Sequence, residues 1–215
     1  MFRGSLSNMK KSSAKIGLAM LAGAAGVAFA LFAQQAMAQH RALEQLDVLD
    51  EPGKVPTAEE EQLPPQFQRQ LVFFRSTEAP GTVIIDSNQR FLYVVQSDNR
   101  AIRYGIGVGR DGFRWSGVLK IARKQEWPDW RPPPEMIQRQ PYLPRFMAGG
   151  PGNPMGARAM YLGATVYRIH GTNQPQTIGS AVSSGCFRLV NSDVADLYNR
   201  VEVGTKVIVR QPASL

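Results

Sequence analysis

The chain has 215 residues, with 25 basic side chains against 17 acidic ones, a formal charge of +8 and 43% hydrophobic residues. A single cysteine excludes an internal disulfide, and no basic run or interleaving of basic and aromatic residues points to nucleic acid. One cysteine and two histidines also fall short of a closed zinc shell, so no metal or cofactor is expected.

The N-terminus reads as a targeting segment. Arg3, Lys10, Lys11 and Lys15 precede an apolar run from Ile16 to Ala33, and Ala36-Met37-Ala38 places small residues at a cleavage site. Residues 1–38 are therefore expected to be a signal peptide for export to the periplasm. An uncleaved membrane anchor is the alternative, since the run is just long enough to span. Cleavage would take four basic residues and leave 177, with 21 basic against 17 acidic side chains, a net +4. Such a mild positive charge suits a polyanionic surface such as a cell wall. A chain of 177 residues is enough for one domain with a real core.

Residues 39–75 are rich in Glu, Gln and Pro and show little apolar periodicity, so they read as a tether with a short helix around Leu63 to Phe74. A folded domain is expected over 76–212. It opens with β-type runs at Thr82 to Asp86, Phe91 to Gln96 and Ala101 to Val108, separated by the turn sequences SNQ and SDN. Further strands are expected at Gly117 to Lys124, Arg158 to Gly163, Val166 to His170 and Thr205 to Arg210. One helix is predicted, capped by Asn191 or Ser192, with Val194, Leu197, Tyr198 and Val201 along one face. Between the strands, EWPDWRPPPEMIQRQPYLPRFMAGGPGNPMG is too long for a simple connector. It reads as a lid over a site, as an excursion packing Trp127 and Trp130 onto the domain, or as both. Gly spacing in GIGVGRDG does not make a nucleotide loop, because no apolar helix follows it.

The lone thiol, Cys186, lies in SSGCFRLVN. In an oxidising compartment it is a buried inert group, an intermolecular partner or a reactive nucleophile. His40 falls in the tether, which leaves His170, sixteen residues before Cys186, as the candidate general base. Imidazole can take the thiol proton, and the imidazolium then stabilises the thiolate. Gly171 and Gly185 allow close approach of backbone to substrate, and the amides of Gly185 and Cys186 could form an oxyanion hole.

The stretch HGT followed at this spacing by SSGCFRLVN resembles the signature of the L,D-transpeptidase catalytic domain family (YkuD-type). GTVIID, LYVV, AIRYGIGVGR and GGPGNPMGARAMYLG also resemble its proteobacterial members, over roughly Ser76 to Arg210. The resemblance implies a mostly β, YkuD-like sandwich or barrel-like fold with few short helices and the long Pro/Trp-rich loop. It implies Cys186 as nucleophile, His170 as base, the Gly171 carbonyl orienting the imidazole and Gly185 in the oxyanion hole. Arg188 is carried over as a binder of substrate carboxylate, with a structural ion pair as the alternative, and Asn191 as a substrate residue or a helix cap. Ser184 stands where the family often has histidine, so it can hydrogen-bond near the thiol but carries no charge. The family's TPTG stretch reads RDGFRWSG here (Arg110 to Gly117).

The implied reaction is acyl transfer on peptidoglycan tetrapeptide stems. A Cys186 thioester would be resolved by another stem's diaminopimelate or by an outer-membrane protein or lipoprotein. Hydrolysis instead would give a carboxypeptidase, or an amidase releasing such a protein. The resemblance also implies acylation by carbapenems. A non-catalytic wall-binding module is the reading from another class, and it would expect Cys186 or His170 to be lost, whereas both are present.

Overall fold

The computed structural model of the protein describes residues 52–211. The expected leader, His40 and the tether before Pro52 lie outside them.

Among the described residues, eleven strands carry the fold. β1 (Gln70–Phe73), β2 (Val83–Asp86), β3 (Phe91–Val95) and β4 (Arg100–Gly105) come first. They are followed by β5 (Val108–Gly109), β6 (Gly117–Glu126), β7 (Arg158–Leu162), β8 (Arg168–His170), β9 (Ala181–Ser183), β10 (Phe187–Arg188) and β11 (Lys206–Arg210). Two helices join them, α1 (Pro134–Arg139) and α2 (Asn191–Arg200), with 3-10 turns at Pro65–Phe67 and Pro175–Thr177. Nine strands hydrogen-bond in the order β1-β4-β3-β2-β11-β6-β7-β8-β10, and β5 pairs with β9. The pairing is mostly antiparallel, as expected, with parallel pairs at β2/β11, β8/β10 and β5/β9.

The β2-β3-β4 meander turns where the sequence places SNQ and SDN. Asp98 and Asn99 both take positive φ, 58° and 54°, the left-handed pair that two-residue hairpins favour. The ten-residue β6 joins the two halves of the sheet. Its first residues pair with β11 and its last with β7, and the register shifts between Ile121 and Arg123. A bulge of this kind bends a strand so that it serves two sheet planes.

One cluster fills the interior: Val83, Ile85, Leu92, Val94, Tyr104, Met160, Leu162, Ile169, Phe187, Leu189, Val207 and Val209, with Val194 and Leu197 from α2 and Val201 at its C-cap. The predicted helical stripe thus faces the core, with Tyr198 packed at its margin. The cap differs from expectation. Val190 holds the N-cap position without a side-chain hydrogen bond, and Asn191 already lies inside the helix. β2 and β3 bury their other face as well, where Ile84, Tyr93 and Val95 pack under Phe74, whose ring stacks on Tyr93 at 4.4 Å.

The segment expected to form a helix around Leu63 to Phe74 is instead a 3-10 turn followed by the edge strand β1, paired with β4. The prolines start the 3-10 turn, where proline is tolerated, and the QLVF run then pairs with the edge of β4 instead of continuing it. The residues before it also pack on the domain, since Leu63 is buried with Ile178 and Val190. Leu63→Ala is therefore expected to lower unfolding free energy by about 2–3 kcal/mol, as for a buried leucine. Urea denaturation checks this, and an unchanged midpoint would mean that the segment hangs free.

Candidate active site

The site forms at the end of the sheet where β8 and β10 lie parallel, with His170 opposite Arg188. His170 ends β8, and Cys186 lies in the turn between β9 and β10, two residues before Arg188. Both line one small cavity, of about 70 Å³, together with Arg168, Ser183, Ser184 and Arg188. From the long loop come Trp130, Arg131, Pro133, Met136 and Met155. A larger cavity of about 630 Å³ adjoins it and shares Arg131, Pro133, Met136, Arg168, Ser184 and Cys186. Phe113, Tyr167, Glu135 and Arg139 also line it. The thiol therefore opens onto both.

The imidazole is fixed by its neighbour. His170 Nδ1 lies 2.6 Å from the Gly171 carbonyl. A carbonyl only accepts, so Nδ1 carries the proton and Nε2 presents its lone pair, the tautomer a general base needs. Burial, then the Arg188 guanidinium, push the His170 pKa down from 6.5 to about 3, so the ring is neutral at ordinary pH. Burial pushes the Cys186 thiol up, against the pull of the Arg168 and Arg188 charges and hydrogen bonds from Arg168. The resting pair is thiol and imidazole. The thiol itself donates to the Val166 carbonyl, at 3.9 Å.

The turn that carries Cys186 is braced on both sides. Gly185 has φ of 102°, and a Cβ there would stand 2.7 Å from the Tyr167 ring. Its carbonyl accepts from Trp115 Nε1 at 3.0 Å, and Trp115 stacks on Tyr167 at 4.5 Å. The altered RDGFRWSG stretch thus buttresses the cysteine turn. The Gly185 amide donates to Ser183 Oγ at 3.2 Å, while that hydroxyl donates to the Cys186 carbonyl at 2.6 Å. The expected oxyanion donor at Gly185 is thus engaged within the turn in this state. Ser184 faces both cavities, beside the thiol.

Asn191 takes no part in the cavity lining. Its Oδ1 accepts from the Ala157 amide at 2.9 Å, and its Nδ2 donates to the Thr172 carbonyl at 3.1 Å and to Glu61 at 3.0 Å. It clips together the strands beneath His170, and Glu61 brings the N-terminal segment into the same clip. Arg188 forms part of the floor, 8% exposed, with its backbone paired to Gly107. In the long loop Trp130 packs with Leu143, Met155 and Ala159, whereas Trp127, 41% exposed, does not share that packing. The loop is both a wall of the site and a small packed unit. Sequence reading missed Arg168, although alternation along β8 places it on the same side as His170 two residues on. Among the described residues no three His, Cys, Asp or Glu side chains group to hold a metal ion.

The L,D-transpeptidase catalytic domain model (YkuD) matches residues 80–209, and the chain belongs to this family. The Probable L,D-transpeptidase ErfK/SrfK of Escherichia coli (strain K12) is 39% identical over 150 residues, covering 66% of this chain and 48% of that protein. Probable L,D-transpeptidase YbiS of the same strain is 37% identical over 147 residues, covering 64% and 47%. The chain spans about half the length of these curated relatives. A crystal structure of a Probable carnitine operon oxidoreductase caia from Brucella melitensis is 49% identical and covers 72% of this chain and all of its own, with a TM-score of 0.46.

The buried imidazole has a consequence for stability. Between pH 6.5 and about 3 the unfolded chain binds a proton at His170 that the folded chain does not, so stability falls as pH drops through that window. Asp193 acts the other way. Burial raises its pKa from 3.8 to about 6, so acidification over that interval favours the folded state. His170→Gln should remove the first effect alone and flatten the acid side of the stability curve relative to wild type by up to about 1.4 kcal/mol per pH unit. Urea unfolding across pH 3 to 7 measures the difference, and parallel curves would contradict a buried neutral ring.

Proposed function

We propose that the protein is an exported cysteine L,D-transpeptidase acting on peptidoglycan stem peptides in the periplasm. The observation that carries this reading is the His170 ring, held by the Gly171 carbonyl in the base tautomer and lining the same cavity as the chain's one thiol. Membership of the family supports the reaction class. The basic and apolar N-terminal pattern followed by Ala36-Met37-Ala38 supports export.

In this reading His170 Nε2 takes the Cys186 proton as the sulfur attacks the carbonyl of the third residue of a tetrapeptide stem. Because the resting thiol is protonated, proton transfer accompanies attack. The Cys186 amide supports the oxyanion, joined by that of Gly185 once it releases Ser183. The tetrahedral intermediate collapses to a thioester, the C–N bond breaks, and the imidazolium returns its proton to the departing amine of D-alanine. An amine then attacks the thioester, loses its proton to His170, and regenerates the thiol. The cleaved amide supplies the acyl group, so no nucleotide is consumed. Another stem's diaminopimelate as acceptor gives a crosslink, an amine of an outer-membrane protein gives a wall anchor, and water gives a shortened stem.

Purified protein and Cys186→Ala are to be incubated with tetrapeptide muropeptides, with products followed by mass spectrometry. Dimers joined through third residues, with D-alanine released, are expected for the wild type. Loss of the thiol should lower this by at least about a thousandfold. Tripeptides without dimers would assign a carboxypeptidase or a protein acceptor absent from the tube. Absence of both, and no release of protein from wall carrying covalently attached outer-membrane protein, would return the wall-binding reading. A carbapenem should add its mass to the wild type and not to Cys186→Ala, and an unchanged wild-type mass would count against an accessible nucleophile.

A further inference from the structure

The two cavities that meet at Cys186 are strongly cationic. Their linings contain Arg131, Arg139, Arg168 and Arg188, against Glu135 as the one acidic side chain. Such a site is built to receive an anion. The four arginines are not equivalent. Arg188 is nearly buried in the floor, and the Arg131 guanidinium lies over the Phe146 ring at 4.7 Å. Arg139 lies at the end of α1, facing the larger cavity alone. Arg168 lines both cavities, on the same side of β8 as His170. Its Cζ stands 5.3 Å from the centre of the Tyr161 ring, and its side chain also hydrogen-bonds the Cys186 sulfur. Its Nε is buried without a hydrogen-bond partner. A buried donor left in that state is costly, and a bound carboxylate would satisfy it.

We propose that Arg168 is the carboxylate anchor of this site, gripping the free C-terminal carboxylate of the residue that Cys186 expels. The inference rests on the reading of Cys186 as the nucleophile. It gives a physical reason for a donor, such as the tetrapeptide stem proposed above, whose scissile amide is followed by one free terminal residue, because there a carboxylate lies a few bonds from the attacked carbonyl. A longer stem puts an amide where the anchor needs a charge. The same guanidinium, beside the sulfur, favours the thiolate as it forms, so one residue both selects the donor and assists attack.

Because Cys186 is the only cysteine, alkylation of the full chain reports on this one sulfur. The rates of labelling by anionic iodoacetate and neutral iodoacetamide are to be compared as a ratio for wild type, Arg168→Lys, Arg168→Gln and free N-acetylcysteine. A change in thiolate fraction affects both reagents alike and cancels in the ratio, whereas anchoring of the carboxylate does not. The wild-type ratio should exceed that of N-acetylcysteine, falling roughly tenfold in Arg168→Gln and partway in Arg168→Lys, as expected for one charge-assisted hydrogen bond. A wild-type ratio equal to that of the free thiol, or one unchanged in Arg168→Gln, overturns the anchor, and the wild-type comparison stands even if a variant fails to fold. A tetrapeptide donor with a C-terminal carboxamide should then raise KM in the wild type and make little difference in Arg168→Gln. Equal KM for carboxylate and carboxamide donors in the wild type would also overturn it. A high alkylation ratio with no turnover of muropeptides would leave the anchor in place and defeat the transpeptidase reading instead.

Discussion

The carbonyl of Gly171 accepts a hydrogen bond from the ring of the residue just before it, at 2.6 Å, and the chemistry of the site follows from where that carbonyl points. The backbone that aims this carbonyl is held by the Gly171 amide, which donates to the Arg158 carbonyl at 3.0 Å, and by the His170 carbonyl, which accepts from Leu189 at 2.9 Å. Asn191 packs against it. Its Oδ1 would stand 2.5 Å from a Cβ at either Gly156 or Gly171, so neither position has room for a side chain. Three strands of polypeptide thus converge on one amide group, and the N-terminal segment joins them through Glu61. The tautomer of His170 is therefore set by packing at a distance from the thiol, which is how a second layer of contacts commonly fixes a reactive imidazole.

Charge follows from the same geometry. Burying a histidine beside arginines disfavours its cation, and burying a thiol disfavours its anion, so the resting site avoids an ion pair that it would have to desolvate. The arginines oppose only the second effect. They lower the cost of the thiolate while raising that of the imidazolium. An anion that neutralises part of that positive field would ease the imidazolium and weaken the support for the thiolate, so the two effects oppose one another.

Much of this was legible in the sequence because the signals were local. Runs such as VIID, FLYVV and RAMYL carry enough β-branched and apolar residues to declare themselves, and the turn residues between them fix the meander. Cys186 and His170 stood out by their scarcity. What escaped reading depends on distant partners. β9 and β10 are three and two residues long and exist because Val108 and Ile169 lie beside them. β1 is an exposed strand that needs the edge of β4. Asn191 fits a capping pattern, yet its side chain is drawn away by Ala157 and Thr172, to which the linear sequence gives no pointer. Arg168 was hidden for the opposite reason, since an arginine in a strand is ordinary until the cavities on its face are seen.

The long loop between β6 and β7 shows why a wall over the thiol takes so many residues. A surface excursion has no sheet to pair with, so it must bring its own order. This one does so with a small core around Trp130, Leu143 and Met155 and with Asn153, fully buried, which donates to the Met147 and Ala148 carbonyls and accepts from the Met155 amide. Its prolines reduce what the unfolded loop loses on ordering. At Gly149 the backbone of Trp127 passes so closely that no side chain fits. A loop braced in this way presents Arg131, Pro133 and Met136 to the cavity. The two cavities that the wall leaves open are the approaches to Cys186.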